Sequence, residues 1–349
     1  MFPSMKVIIA FIVGAVVIAG LEFVVEGGSL LYSMLFFVAV SQGPIAVAAA
    51  ADIAGGQWIR PYKQTLFTTR HMILFVLILF AVFLGLGRVH LYEWTHWEHP
   101  GQWLNVPFFS LRNLVMLGIS WVLANVYVKA SLTESKTKNM WALFWLFSYV
   151  ITQTLVAFDW VMSLEYPWIS TLFGAYFFVE AFYCGLAFAA IYTGFRYQHL
   201  LETHSGTFKK AMMDMMTMFF GFSIFWGYQF FSQYIVIWYG NIPEEVSFFT
   251  RRLDVFGSLL YLIPLILFVI PFWILISRKM KANPKVVMAV GFLVWGGVLL
   301  ERVFMLGIHM ALPPVISAVE FIVASAVFFW VVKSQDDDAL VASGEATPT

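Results

Sequence analysis

The chain has 349 residues, 61% of them apolar and only 11% charged, against roughly half and a quarter in soluble domains; this excludes a water-soluble enzyme and amounts to about ten spans of roughly 20 residues each. Formal net charge is zero, from 20 basic and 20 acidic residues, so no basic face points to nucleic acid. The only cysteine, Cys184, lies in an apolar run, which excludes a disulfide, an iron–sulfur site or a haem-attachment motif within the chain and leaves it as a small hydrophobe.

Ten apolar runs follow in chain order, at roughly 7–25, 30–53, 71–87, 107–128, 140–163, 170–195, 211–238, 254–277, 286–308 and 312–333. They are too long and continuous for barrel strands, and only helices satisfy their own backbone in lipid. An all-α polytopic membrane protein is therefore predicted. The first run follows Lys6 and reads as an uncleaved span. Fifteen of the basic residues fall in the loops on the side of the amino terminus, and five (Arg88, Arg112, Arg251, Arg252 and Arg302) towards the other. The asymmetry predicts that both termini are cytoplasmic. The tail, 334–349, carries Asp336, Asp337 and Asp338 before small polar residues and reads as disordered.

A faint repeat organises the middle. Phe108-Phe109-Ser110-Leu111-Arg112 opens the fourth run, and Phe248-Phe249-Thr250-Arg251-Arg252 precedes the eighth, 140 residues later. The same offset carries Asp159 to within two residues of Glu301. Four crossings preserve direction, so two parallel four-helix bundles are expected, over 30–165 and 166–309. The first helix and its outer turn (1–29) and the tenth helix (310–333) flank them. Parallel repeats also occur in transporters, so the repeat speaks to architecture alone.

Ionisable groups inside a bilayer are costly and are functional candidates. Glu180 sits in the sixth run with Tyr176, Tyr183 and Cys184 on its face and no basic residue expected at its depth. Glu320 lies in the tenth run, Glu301 and Arg302 in the outer half of the ninth, and Asp159 near the outer end of the fifth. Asp52 and Asp214 sit at cytoplasmic helix ends. Taken by depth, Asp214, Glu180, Glu301 and Asp159 read as a stepped proton path, with Glu180 midway. The opposing reading makes each a buried ion pair or hydrogen bond that only holds helices together, or, for Asp52 and Asp214, an ordinary helix-end charge.

The seven histidines, His71, His90, His96, His99, His199, His204 and His309, all read as loop or helix-end residues. Haem ligation within the membrane is therefore not expected, and no metal site is predicted. His90, near Arg88, could meet a quinone head group. Trp94, Trp97 and Trp103 after the third run suggest a partner-covered surface, as does the segment holding Trp238, Tyr239 and Asn241, which leaves the membrane through a Gly-Asn-Ile-Pro turn.

That last segment, SQYIVIWYGNIPEE (232–245), together with AFDWVMSLEYPWISTLFGAYFF (157–178) and SQGPIAVAAAADIAGG (41–56), resembles the ActF-type membrane subunits of bacterial alternative complex III. These belong to the NrfD-like, polysulfide-reductase-type membrane family. The similarity runs over nearly the whole chain, and 232–245 is its most specific stretch. The resemblance implies a subunit of a quinol:cytochrome c, or quinol:terminal-oxidase, oxidoreductase in the bacterial inner membrane, without a redox centre of its own. It implies a sister ActC-like subunit, an iron–sulfur protein, multihaem cytochromes c carrying the haem, and in some assemblies a terminal oxidase. The better-supported quinol pocket of the family lies in the sister subunit.

Three functions compete. The first is a scaffold and proton path within a quinol-oxidising complex of respiratory or photosynthetic electron transport, through Asp214, Glu180, Glu301, Asp159, Glu320 and Asp52. The second is the quinol-binding (menaquinone or other quinone) subunit itself, with His90, Arg112 and Asp159 near the quinone and Asp159 or His90 taking its proton. The third is a proton-coupled secondary transporter using Glu180 and Glu301; against it, the internal breakers Pro44, Pro264 and Pro271 do not fall at matching places in the two repeats.

Overall fold

The computed structural model describes residues 3–24, 27–98, 101–204 and 206–342, with side chains as far as Gln335. Among them every regular element is helical and there is no strand. Each predicted run falls on a helical segment, named here α1 to α10. They are α1 (Met5–Val24), α2 (Leu30–Ile53), α3 (Gln57–Gly85), α4 (Val106–Leu132), α5 (Lys138–Glu165), α6 (Leu172–Thr203), α7 (Phe208–Gly240), α8 (Pro243–Phe256 and Leu259–Leu275), α9 (Pro284–Leu306) and α10 (Pro314–Ala342). This is an all-α polytopic membrane protein.

Eight of these helices are long and apolar enough to cross a bilayer, and a ninth span is gained if the two arms of α8, bent by 101°, count as one. The remaining helix, α7, has 33 residues, but Tyr228, Gln229, Ser232, Gln233 and Tyr234 dilute its apolar content. The face at which α1 begins is called the near face below, and its opposite the far face.

Several boundaries differ from expectation. Helix α3 begins at Gln57 rather than near residue 71, with Pro61 in its first turn, where proline costs no hydrogen bond. The first arm of α8, with Glu244 and Glu245 in its opening turn, precedes the apolar run and takes half its length from polar residues. Helix α10 continues through the Asp336–Asp338 run to Ala342, where composition predicts disorder from 334; no glycine or proline interrupts it there. Residues 343–349 lie outside the described residues.

Helix α2 is the hub. Twenty-two of its 24 residues are buried, so it has no polar face and reads as apolar all round. It packs against α3, α5 and α6, while α6 packs against α9 and α7. The α2–α6 crossing is a backbone contact. A Cβ on Gly43 would lie 1.8 Å from the Ala181 carbonyl oxygen, and one on Gly185 would lie 2.4 Å from the Gly43 carbonyl carbon. Close approach through small residues is what joins helices in lipid, where apolar burial adds little. Polar side chains reinforce the crossing region: Gln42 donates to Ser120 (3.1 Å) and accepts from Gln153 (3.0 Å), tying α2 to α4 and α5.

Candidate functional site

The chain concentrates its buried charges towards the far face, in three groups on facing helices. Glu180 lies eight residues from the start of α6, about 12 Å at 1.5 Å per residue. There Arg302 of α9 grips it with two hydrogen bonds, at 2.7 Å and 3.1 Å. Glu301 sits beside the pair: its Oε2 is 3.9 Å from the same guanidinium, and its Oε1 accepts from the Tyr176 hydroxyl. Phe177 covers the guanidinium at 4.9 Å. All four polar residues are buried. Two carboxyls thus share one arginine, and Glu301 Oε2 has no hydrogen-bond partner among the described residues.

Glu301 also lines a cavity of about 20 Å³, walled by Phe173, Tyr176, Phe230, Gln233, Phe248 and Phe304. The volume is room for one water and far too small for a quinone ring. Gln233 in turn accepts from Ser170 (2.8 Å) at the far-face end of α6.

Asp159 forms the second group. It lies in a π-helical turn, Val156–Val161, near the end of α5, a distortion that re-aims side chains. Arg112 binds it through two hydrogen bonds of 2.7 Å, with Asn113 at 2.7 Å and Trp103 at 3.3 Å as further donors. Four donors leave the carboxylate little capacity to accept a proton from a quinol. His90 is exposed on the far-face loop, beside His96, and makes no contact with the Arg112–Asp159 pair. The three residues expected near a quinone are therefore not brought together.

The third group joins Glu320 to an acid that the sequence reading passed over. Glu22, at the end of α1, is buried and accepts from Ser29 (2.9 Å), from the Leu30 amide (2.5 Å) and from Arg88 (3.0 Å). Glu320 of α10 lies buried close by, facing Ser29, Glu22 and Arg88. A sixth buried acid, Glu165, closes the far face, bound by Arg252 and by His309 (2.7 Å). Arg252 also donates to the Phe304 and Met305 carbonyls at the end of α9.

The near face carries less. Asp52 is held by Lys63 (2.8 Å), Tyr127 (2.8 Å) and Ser131 (2.6 Å). In the adjoining turn, the hydrogen bond from Lys138 and the charge of Lys63 hold the Glu134 carboxyl below its ordinary range. Asp214 is exposed in a near-face groove.

These positions correct the sequence reading in five respects. Glu180 has a basic partner at its depth, because Arg302, four residues from the end of α9, reaches it across the α6–α9 interface. Glu180 and Glu301 stand at one level, so the expected series is not stepped between them, and Glu180 is not midway: it lies with the far-face acids. Tyr176 serves Glu301, and Tyr183 donates to the Leu267 carbonyl (3.0 Å), so neither holds Glu180. His71 is buried and lies inside α3, because that helix starts earlier than its apolar run. Trp94 is 1% exposed, packed at a tilt against the Tyr92 and Phe109 rings and donating to Ser163, so it cannot face a partner. Trp97, Trp238 and Tyr239 are 37%, 62% and 84% exposed. Asn241, also exposed, caps α7 in the left-handed region at φ 46°. His99 lies outside the described residues, among which no group of three metal-ligating side chains converges.

The fold defines a polytopic membrane protein with a buried, charge-bearing far half. No family model matches its sequence, and no curated protein matches it either.

Proposed function

We propose that this chain is an integral-membrane subunit of a quinol:cytochrome c, or quinol:terminal-oxidase, oxidoreductase of the NrfD-like type, serving as scaffold and as the far-side part of a proton path. The observation that carries the proton role is Glu301. It is a carboxyl inside a membrane helix with one oxygen tied to Tyr176 and the other without a hydrogen bond among the described residues, and the residue lines a water-sized cavity. A group kept only for stability has its lone pairs filled, as Asp159 has. Beyond the cavity, Gln233 and Ser170 continue the polar line towards the far face.

The assembly role is supported by the exposed Trp238, Tyr239 and Asn241, which lie in the segment most like ActF subunits. Large aromatic side chains projecting at a helix end are suited to contact with a protein partner. On this reading the electrons travel in iron–sulfur and haem c subunits, quinol is oxidised in or beside the sister membrane subunit, and both termini face the cytoplasm of a bacterial inner membrane.

Affinity isolation of the tagged chain from its native membrane in a mild detergent tests the reading. The expected result is co-isolation of a second polytopic subunit, an iron–sulfur protein and covalently bound haem c, with quinol-oxidising activity. A chain that comes away alone, or with a transport activity and no haem, overturns it.

A further inference from the structure

We propose that the near-face groove between the starts of α3 and α7 is a glycerophospholipid site, with the phosphodiester at Arg60 and Lys210 and one acyl chain lying along α7. This is independent of the complex to which the chain belongs.

Two adjoining hollows make up the groove. The first, of about 580 Å³, is walled by Arg60, His204, Thr207 and Lys210. The second, of about 420 Å³, runs down the membrane-facing side of α7 past Met218, Gly221, Phe222 and Phe225. Trp58 and Asp214 belong to both walls, so the two adjoin at these residues. One half is polar and cationic at the membrane boundary; the other is apolar and points into the bilayer. That order of chemistry is a phospholipid's own.

The head-group half has unmet donors. Neither Arg60 nor Lys210 enters an ion pair or hydrogen bond among the described residues. His204 Nδ1 is buried without a partner. Helix α7 begins here after Thr207, which places Lys210 in its first turn at the groove wall. Two unpaired cations and a buried, unpartnered imidazole nitrogen at the membrane boundary favour a phosphate. Asp214 is the one acid in the wall and stands where the two halves meet; Lys281 brings a further cation to the adjoining Thr217 (3.2 Å).

The acyl half has its own signature. A Cβ at Gly221 would meet nothing within 4 Å, so the α7 backbone lies open in the wall of this hollow beside Met218, Phe222 and Phe225. Trp58 at the junction has the amphipathic ring expected at head-group depth. A free anion explains the cations but has no use for the apolar hollow, which is why the lipid is preferred.

Binding of radiolabelled phosphatidylglycerol to the protein as isolated in mild detergent, with any partners retained, decides the matter. Saturable binding is expected. Arg60→Ala/Lys210→Ala weakens it at least tenfold, and so does Gly221→Phe, which fills the crevice from an open position; Gly221→Leu gives the same reading should Gly221→Phe lower the yield. Lys279→Ala/Lys285→Ala, on the same face outside the groove, leaves binding unchanged, and millimolar inorganic phosphate does not compete. If phosphate competes and the Gly221 variants bind normally, the groove is a free-anion site. If the Lys279/Lys285 control loses as much as the Arg60/Lys210 variant, binding reflects diffuse surface charge. Either outcome overturns the proposal.

Discussion

Arg112 and Arg252, 140 residues apart, make the same local contact: each lays its guanidinium over the phenylalanine four residues earlier, Phe108 at 4.8 Å and Phe248 at 3.9 Å. Their partners then diverge. Arg112 is paired with Asp159 of α5, three helices short of α8, whereas Arg252 reaches Glu165 at the end of α5 and two carbonyls of α9. The sequence echo therefore corresponds to a shared aromatic seat for an arginine, while the pairing on that seat has been put to different use: one arginine satisfies an acid, the other fastens α8 to α5 and α9.

Removing Arg112 should therefore expose what it neutralises. Arg112→Ala leaves the fully buried Asp159 carboxylate with Asn113 and Trp103 only, and breaking a buried pair on one side costs about 3–5 kcal/mol. A large fall in the thermal midpoint in detergent is expected. Arg112→Met/Asp159→Leu, which removes both charges, should regain most of it. A single variant as stable as the parent would mean that Asp159 is not ionised in the fold.

The α2–α6 crossing makes a second stability prediction. Gly185→Ala brings a methyl group within 2.4 Å of a Gly43 backbone carbon, which a side-chain rotation cannot relieve. Overpacking of this kind costs about 1–3 kcal/mol. Gly296→Ala, in α9 with open space around it, should leave the unfolding midpoint within error or raise it slightly, since alanine is the better helix former. Equal behaviour of the two variants would show that the helices can separate without penalty.

How far these features could be read from the sequence depends on the distance over which they are specified. The ten helices are written locally, in apolar runs that lipid forces to be helical, and every run found its helix. What crosses between helices was hidden. Depth counted along α6 and α9 separately gave Glu180 no basic neighbour, because the 32 residues of α6 overrun the near face and shift Glu180 towards the far one. Glu22 escaped notice as the last charge of an apolar run, although Arg88, 66 residues on, holds it. Trp94 and Trp97 share a loop and a residue type, and only tertiary packing sends one inward to Ser163 and leaves the other exposed. The motif around Ser41–Ala49 was noticed for its resemblance; its physical reason, the absence of a Cβ at Gly43 where α6 passes, needed the partner helix.

The direction of insertion follows from charge alone. Reporter fusions near residues 60 and 280 should read cytoplasmic, and one near residue 95 should read external. The arm Pro243–Phe256, bent by 101° from Leu259–Leu275, should lie along the far surface, so a cysteine at Glu244 or Ser247 should be labelled by a membrane-impermeant reagent from outside. The reverse labelling pattern would invert every assignment of near and far to cytoplasm and exterior.

Glu301 and Glu180 share Arg302 and yet should respond differently to loss of their titratable proton. Glu180 spends both oxygens on the guanidinium. Glu180→Gln therefore leaves Arg302 charged and half-served in the membrane interior, and the expected effect is on stability: lower yield and a depressed unfolding midpoint, of the order of 3–5 kcal/mol. Glu301 gives Arg302 only a 3.9 Å contact, through an oxygen with no hydrogen bond among the described residues, and lines the cavity. Glu301→Gln preserves the shape and an acceptor for Tyr176, so the protein should fold and assemble normally. In proteoliposomes carrying the intact complex, quinol oxidation by the Glu301→Gln form should continue while protons moved per electron fall. Tyr176→Phe should lower the same ratio less, since it removes one hydrogen bond to the acid and not the acid. An unchanged proton-to-electron ratio in the Glu301→Gln form, with normal assembly, would reduce Glu301 to a structural acid and remove the proton path from this chain.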